Sequence, residues 1–208
     1  MAGLLHSNGV VMGRKDDFFP PPMKENPKGF FENKRFRKIN DAILSLSGYS
    51  VKSWDPTIPA VRPVNPILKK EMADLVKGYE QEFEWWGWKD PRTMLTLPVW
   101  HDVINKLGIA NKILIIKLAR SSVDISKSML NRGNKEKFKR QFIEVADEYE
   151  RRFSIFYDGI CNTVPCITIK FKDLIMHPYL VAADLSVFTG KELWDVDFID
   201  KTIPNNIG

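Results

Sequence analysis

Two short apolar segments separated by a long helical pattern constrain the fold of this chain more than any other feature. Residues 112–119 (KILIIKLA) and residues 166–171 (CITIKF) are almost continuous apolar runs, which are typical of strands covered on both faces. Between them, large apolar residues recur at helical spacing from Phe138 to Phe156. This order predicts a parallel crossover, so we expect an α/β domain with a mainly parallel sheet.

Neighbouring segments fit the same fold class. Residues 83–91 (FEWWGWKDP) predict a short third strand that ends at Pro91. The chain has 208 residues, and we expect a single domain over residues 1–208. Apolar residues at helical spacing predict four further helices, between residues 36 and 47, 68 and 83, 97 and 107, and 178 and 188.

Composition narrows the classes of partner. The formal net charge of +5 favours anionic partners in general, and no zinc-finger, RRM-type or KH-type signature points to nucleic acid. No segment approaches 18 apolar residues and the first 30 lack a signal-peptide pattern, so we expect a soluble, cytoplasmic protein without a membrane span. We expect Cys161 and Cys166 to be buried thiols rather than a disulfide or a metal site.

Arg120 follows directly after the first apolar strand. Ligands of open α/β sheets bind beyond the carboxyl ends of the strands, and the next helix would direct its free N–H groups to the same place. Arg120 therefore predicts an anion site, with Ser128 facing it from that helix. The alternative is ordinary capping, in which Ser121 and Asp124 form a capping box and Ser128 has no ligand.

Four segments, taken in order, resemble the sulfotransferases that use 3′-phosphoadenosine 5′-phosphosulfate (PAPS). Residues 120–132 contain R-x(3)-D-x(3)-S followed by S-x(3)-R, which is similar to the family's 3′-phosphate element. Residues 26–33 (NPKGFFEN) resemble its N-x-x-G-[YF]-[FW]-E segment. Residues 86–100 (WGWKDPRTMLTLPVW) resemble the strand and turn that carry its lysine, and residues 164–178 (VPCITIKFKDLIMHP) resemble a later strand and turn.

The resemblance implies a fold, a reaction and a set of site residues. The family has a P-loop-type three-layer α/β sandwich and transfers a sulfuryl group from PAPS to a hydroxyl or amine, without a metal. It places Arg120 and Ser128 on the 3′-phosphate and Lys89 near the transferred group, and Arg132, which completes the S-x(3)-R form, is a further cofactor-binding residue. Glu32 is the expected catalytic base, and its alternative role is that of an acid at the start of a helix.

Further residues have weaker assignments. Phe171 stands where the family has a tyrosine near the adenine, so it can stack on the base but has no hydroxyl. His101 is a second candidate base. The acceptor, a small molecule or a carbohydrate, would be bound by the loops of residues 14–28 and 50–66.

One family element has no counterpart in the printed sequence. The first strand and its G-x-x-R-S-G-T-S loop, which cradle the 5′-phosphosulfate, would precede residue 1. Two explanations stay open: Met1 is an internal methionine of a longer reading frame, or the chain is a non-catalytic remnant that binds an anionic nucleotide or sugar. A nucleotide kinase is disfavoured because G-x(4)-G-K-[ST] does not occur.

Overall fold

The computed structural model describes residues 1–18, 29–130 and 139–199. In these ranges two parallel strands, β1 (Ile115–Ala119) and β2 (Cys166–Lys170), pair in register from their first to their last residues. The expected α/β class with a parallel sheet is confirmed at this general level. Eight α-helices lie in the described ranges: α1 (Ala2–Ser7), α2 (Lys34–Leu46), α3 (Pro66–Glu82), α4 (Thr93–Lys106), α5 (Ser122–Leu130), α6 (Lys139–Ile160), α7 (Phe171–Met176) and α8 (Pro178–Thr189).

The long helices form where apolar spacing predicts them, and local signals set their ends. Asn33 and Asn65 cap α2 and α3, because each side chain accepts a hydrogen bond from a backbone N–H of the first turn. Gly190 ends α8 in the left-handed conformation, with φ of 72°, which glycine adopts without steric cost. Within the described ranges, no helix is long and apolar enough to cross a membrane.

The two strands are less enclosed than the sequence predicts. Leu118 of β1 keeps 38% of its surface exposed, and Ile169 is the one buried residue of β2. The expectation of strands covered on both faces is therefore wrong, because a sheet of two short strands is too narrow for helices to enclose it. Phe171, placed in the second strand by its apolar pattern, begins α7 instead.

Residues 83–91 do not form the predicted third strand. Trp86 makes one isolated parallel bridge with Val11, in which the Val11 N–H donates to the Trp85 carbonyl at 2.8 Å. The segment is held by aromatic packing rather than by strand pairing. The ring of Trp88 stacks on Phe36 with centroids 4.6 Å apart and planes 7° apart.

Two apolar clusters form most of the core around the site described below. One joins α2, α3 and α4 around Phe36, Met72, Tyr79 and Trp100, all fully buried. The second joins α1, α8 and the face of β2 that carries Ile169. These clusters fix the positions of the segments that lead into α2, α4 and α7.

Cys161 and Cys166 form a disulfide across the turn between α6 and β2. The expectation of two buried thiols is wrong, because both residues are only half-buried and the turn after Ile160 brings their Cα atoms to 5.5 Å. The bond closes a short loop next to the first residue pair of the sheet, Ile115 with Cys166.

Reduction of this disulfide is expected to lower the free energy of unfolding by about 2 kcal/mol, because the closed loop restricts the unfolded chain. For a chain of this size, the midpoint temperature would fall by roughly 4–8 °C. Thermal denaturation with and without dithiothreitol measures the change. The variant with both Cys161→Ser and Cys166→Ser is the control, and a reductant effect that persists in it would contradict the assignment.

Candidate active site

Lys89 and Glu32, the two residues with predicted catalytic roles, are in contact. Lys89 Nζ donates a hydrogen bond to Glu32 Oε1 at 2.8 Å, although the residues lie 57 positions apart in the chain. Glu32 lies just before α2 and Lys89 lies just before α4, so the contact joins the beginnings of two helices. The Lys89 side chain is 40% exposed and that of Glu32 is 14% exposed. The pair therefore lies at the surface, with the ammonium group accessible.

Glu32 does not serve as the helix-capping acid that the sequence left open. Asn33 caps α2, since its side chain accepts a hydrogen bond from the Arg35 N–H at 3.0 Å. The second carboxylate oxygen of Glu32 lies 3.7 Å from the Arg37 guanidinium. Glu32 is thus held between two cations, as the acceptor of a hydrogen bond from Lys89 and as the ion-pair partner of Arg37.

Three more charged groups extend this contact into a chain of alternating charge. Arg37 lies 4.0 Å from Asp41, one turn further along α2. Asp41 in turn accepts a hydrogen bond from Arg92 Nε at 2.7 Å. The Arg92 guanidinium also donates to Asp90 at 2.9 Å. The charges therefore run without interruption from the accessible Lys89 to the interior.

Asp90 is the buried end of this chain, with a side chain that is 0% exposed. Its carboxylate accepts hydrogen bonds from the Asn40 amide at 2.9 Å and from the Arg92 backbone N–H at 3.0 Å. The Asn40 carbonyl oxygen accepts from Thr96 and from the Trp100 indole, both at 2.7 Å. This network fixes the turn that follows Lys89 against both α2 and α4.

The charge of Arg92 is stabilised in spite of its burial. Burial disfavours the guanidinium charge, but the carboxylates of Asp90 and Asp41 outweigh it and raise the pKa of Arg92. Arg92 therefore serves the fold as the counter-charge of Asp90. The pairing with Asp90, at 2.9 Å, places the Arg92 guanidinium against the turn that follows Lys89.

An unusual backbone conformation precedes Glu32. Phe31 has φ of 52°, in the left-handed region that a bulky residue rarely adopts. Its ring contacts the rings of His6, Phe18 and Phe198 at centroid distances of 5.2, 5.7 and 5.0 Å. These contacts hold the strained residue in place and so orient the carboxylate that follows it.

The beginning of α1 lies beside Lys89. Burial, and to a smaller extent repulsion by Lys89, lower the pKa of the Met1 amino group to about 6. Met1 and Phe31 both pack against the apolar cluster that includes Ile169 of β2. The Lys89–Glu32 pair is thereby tied to the same core as the sheet.

Arg120 and Phe171 form the second contact between predicted site residues. Ala119 pairs with Lys170 at the end of the parallel ladder, so the next residues of the two strands leave the sheet side by side. The Arg120 guanidinium carbon lies 4.6 Å from the centroid of the Phe171 ring. Arg120 is exposed, so this pair is also accessible from solvent.

The helix after Arg120 confirms part of the capping alternative. Ser121 Oγ accepts a hydrogen bond from the Asp124 N–H at 3.1 Å and donates one to the Asp124 carboxylate at 2.7 Å. Ser121 is thus the cap of α5, and Asp124 supports it. Ser128 lies further along α5 and is half-buried. Arg132 lies outside the residues that the structure describes.

The sequence missed the residues that support Lys89 and Glu32. Asn40 is a polar residue within the apolar stripe of α2, and Asp41 follows Arg37 at helical spacing. These signals were present in the sequence, but they do not reveal which distant group each residue contacts.

His101, the second candidate base, lies on α4 and contacts Asn105 one turn away at 3.2 Å, so the structure gives it no link to Lys89.

Comparisons of the chain with family models, curated proteins and solved structures found no match. Within the described ranges, no group of three or more histidine, cysteine or carboxylate side chains could hold a metal ion. The candidate site thus consists of two contacts. The charged pair Lys89–Glu32 lies at the beginnings of α2 and α4, and the cation–aromatic pair Arg120–Phe171 lies beyond the ends of β1 and β2.

Proposed function

We propose that this chain is a PAPS-dependent sulfotransferase with the three-layer sandwich of that family, and that it modifies a hydroxyl or amine. The observation that carries the proposal is the 2.8 Å contact between Lys89 and Glu32. The two residues come from different segments of the resemblance. Lys89 comes from residues 86–100 as the cation, and Glu32 comes from residues 26–33 as the base. Their contact supports a common site, which such chemistry requires.

The roles of the two residues follow from their charges. PAPS supplies the sulfuryl group and leaves as adenosine 3′,5′-bisphosphate. Glu32 accepts the proton of the acceptor hydroxyl as that oxygen forms its bond to sulfur. Lys89 donates hydrogen bonds to oxygens that gain negative charge as the bond between sulfur and the phosphate oxygen breaks. Because Lys89 is accessible, it can turn from Glu32 to such an oxygen.

The Arg120–Phe171 pair fits the bisphosphate part of the same molecule. A guanidinium suits a phosphate dianion because it offers several N–H donors in one plane. The Phe171 ring offers a face on which adenine can stack, and it lacks a hydroxyl that would select among bases. Ser128 and Arg132 complete the proposed 3′-phosphate ligands.

A second candidate function rests on this pair alone. Arg120 and Phe171 lie beyond the strands and do not depend on Lys89 or Glu32 for their contact. The pair is therefore sufficient for a protein that binds an anionic nucleotide without turnover. Both functions require that the chain binds adenosine 3′,5′-bisphosphate. Only a measurement of sulfuryl transfer separates the enzyme from the binding protein.

Adenosine 3′,5′-bisphosphate is expected to raise the thermal midpoint of the wild-type chain. At a hundred times the dissociation constant the stabilisation is about 2.7 kcal/mol, which corresponds to roughly 5–10 °C for a chain of this size. Adenosine 5′-monophosphate, which lacks the 3′-phosphate, should give a much smaller shift. Arg120→Ala should abolish the difference between the two nucleotides.

The matched control is Arg35→Ala, which removes an exposed arginine from α2. Both variants lose one exposed positive charge, so a non-specific effect of charge would weaken both equally. The site assignment requires that Arg35→Ala keeps the bisphosphate shift. Equal shifts for the two nucleotides, or equal losses in the two variants, would contradict it.

A further inference from the structure

A cavity of about 500 Å³ is lined in part by the loop of residues 50–66, one of the two loops expected to bind the acceptor, and by none of the four residues that form the two contacts of the candidate active site. It is bounded by residues 60–64 of the proline-rich loop and by α3, α4 and α6. Lys89, Glu32, Arg120 and Phe171 do not line it. Its volume falls within the range of about 300–1,000 Å³ that is usual for small-molecule sites.

The loop that forms one wall of this cavity is held in place. The Arg152 side chain of α6 donates hydrogen bonds to the carbonyl oxygens of Ile58 and of Pro59, the latter at 2.6 Å. On the other side, the Arg62 backbone N–H donates to Ser47 Oγ at 2.8 Å. Prolines further restrict the loop, so the cavity is formed before any ligand arrives.

The floor of the cavity is apolar. The side chains that form it come from the loop and from two of the helices, and several of them also belong to the core. A ligand that enters therefore removes apolar surface from water, which favours an apolar body. The half-buried apolar side chains of the lining are Val61, Val99 and Phe156, and the buried Val64 and Leu95 lie behind them.

The rim of the cavity carries an excess of positive charge. Arg62, Lys69 and Arg152 line it, together with one carboxylate, Asp102. Arg152 is already paired with Glu148 at 2.6 Å, so the excess comes from Arg62 and the lysines. Asp102 accepts hydrogen bonds from both Lys69 and Lys106, each at 2.9 Å, and these contacts lower its pKa. Two ammonium groups thus share one carboxylate, which leaves a positive charge at the mouth that is not neutralised.

We propose that this cavity binds a small amphipathic anion, with its apolar body on Val61, Val99 and Phe156 and its anionic head at Lys69. The head can be a carboxylate, a sulfate or a sulfonate, since Lys69 recognises charge rather than a fixed geometry. Lys69 is 35% exposed on its side chain, so it can exchange its contact with Asp102 for the ligand. The proposal does not depend on the sulfotransferase assignment.

Octanoate is the probe, and 1-octanol is its neutral counterpart of equal chain length. Titration of the wild-type chain is followed by methyl NMR, which reports both affinity and place. We expect octanoate to shift the methyl signals of Val61 and Val99. It should bind about fivefold more tightly than 1-octanol, which is the gain expected from one partly exposed charge contact. Naphthalene-2-sulfonate, in a parallel titration, shows whether an aromatic body is preferred.

Lys69→Met keeps the aliphatic stem of the side chain and removes its charge. It should reduce the affinity for octanoate to that for 1-octanol. The matched control is Lys70→Met, because Lys70 is the next residue of α3 and its ion pair with Asp74 does not line the cavity. Lys70→Met should leave both affinities unchanged.

A third variant tests occupancy of the cavity itself. Val99→Trp places an indole over the floor and should weaken the binding of both probes more than tenfold. Should this variant fail to fold, Val61→Trp fills the cavity from the loop side. The proposal is overturned if octanoate shifts no cavity methyls, if the alcohol binds as tightly as the acid, or if Lys70→Met and Lys69→Met have equal effects.

Discussion

Lys89→Met is expected to lower the rate of sulfuryl transfer from PAPS by a factor of about 10²–10³, the usual loss when one preorganised donor is removed. The reason is that, in the proposed mechanism, Lys89 donates hydrogen bonds to the oxygens that gain negative charge as the bond between sulfur and the phosphate oxygen breaks. Methionine keeps the apolar stem, so local packing is preserved. Release of adenosine 3′,5′-bisphosphate, measured with a panel of sugars and apolar alcohols as acceptors, gives the rate.

The same variant should bind adenosine 3′,5′-bisphosphate as the wild type does, because that product lacks the sulfuryl group. A matched control is Lys112→Met. Lys112 also pairs with a glutamate, Glu80 at 2.6 Å, and has no part in the proposed site. If Lys89 is only one member of a surface ion pair, the two variants would have equal and small effects on both rate and binding. A wild-type chain that binds the bisphosphate without any turnover would favour the non-catalytic function.

Glu32→Gln separates the base from the cation. The introduced amide would keep one oxygen to accept the hydrogen bond from Lys89, but it could not take a proton from the acceptor. We therefore expect the rate to fall without a comparable change in binding of the bisphosphate. Retention of the rate would move the role of base away from Glu32.

The sequence predicted the helices well and the sheet poorly, for a physical reason. Helical spacing reports which face of a segment is buried, and α3 buries the predicted residues Leu68, Met72 and Leu75. A short apolar run reports only that burial occurs. Residues 83–91 therefore suggested a strand, although two of their three tryptophans, Trp86 and Trp88, pack on Phe36. Strand pairing depends on distant partners, and these are not visible in a local pattern.

In the candidate site, too, the residues beside local motifs were predicted and their distant contacts were not. The sequence named both members of the Lys89–Glu32 pair and both members of the Arg120–Phe171 pair, because each lies beside a recognisable motif. It did not predict that Asp90 would be fully buried, since an aspartate between a lysine and a proline is typical of a surface turn. The supporting network depends on Asn40, which belongs to a different helix.

The largest expected effect on stability lies at that buried carboxylate. Asp90→Ala is expected to lower the free energy of unfolding by about 3–5 kcal/mol, as is usual when one partner of a buried ion pair is removed. Arg92 would remain 11% exposed with one carboxylate instead of two, and the Asn40 amide would lose the shorter of its two hydrogen bonds, keeping the one to Thr93 Oγ1 at 3.2 Å. Urea denaturation measures the change, which is a large share of the roughly 5–15 kcal/mol typical of a folded domain.

Two further variants decide whether the loss arises from the unpaired charge. Asp102→Ala removes a carboxylate of 43% exposure that also contacts two cations, and it should cost less than about 1 kcal/mol because solvent screens the pair. Combining Asp90→Ala with Arg92→Met should recover part of the loss, since no buried guanidinium is then left with a missing partner. Two results would show that burial of the Asp90–Arg92 pair does not anchor the turn that carries Lys89. One is a loss of stability in Asp102→Ala as large as that in Asp90→Ala. The other is a loss in the double variant equal to the sum of the losses in the two single variants.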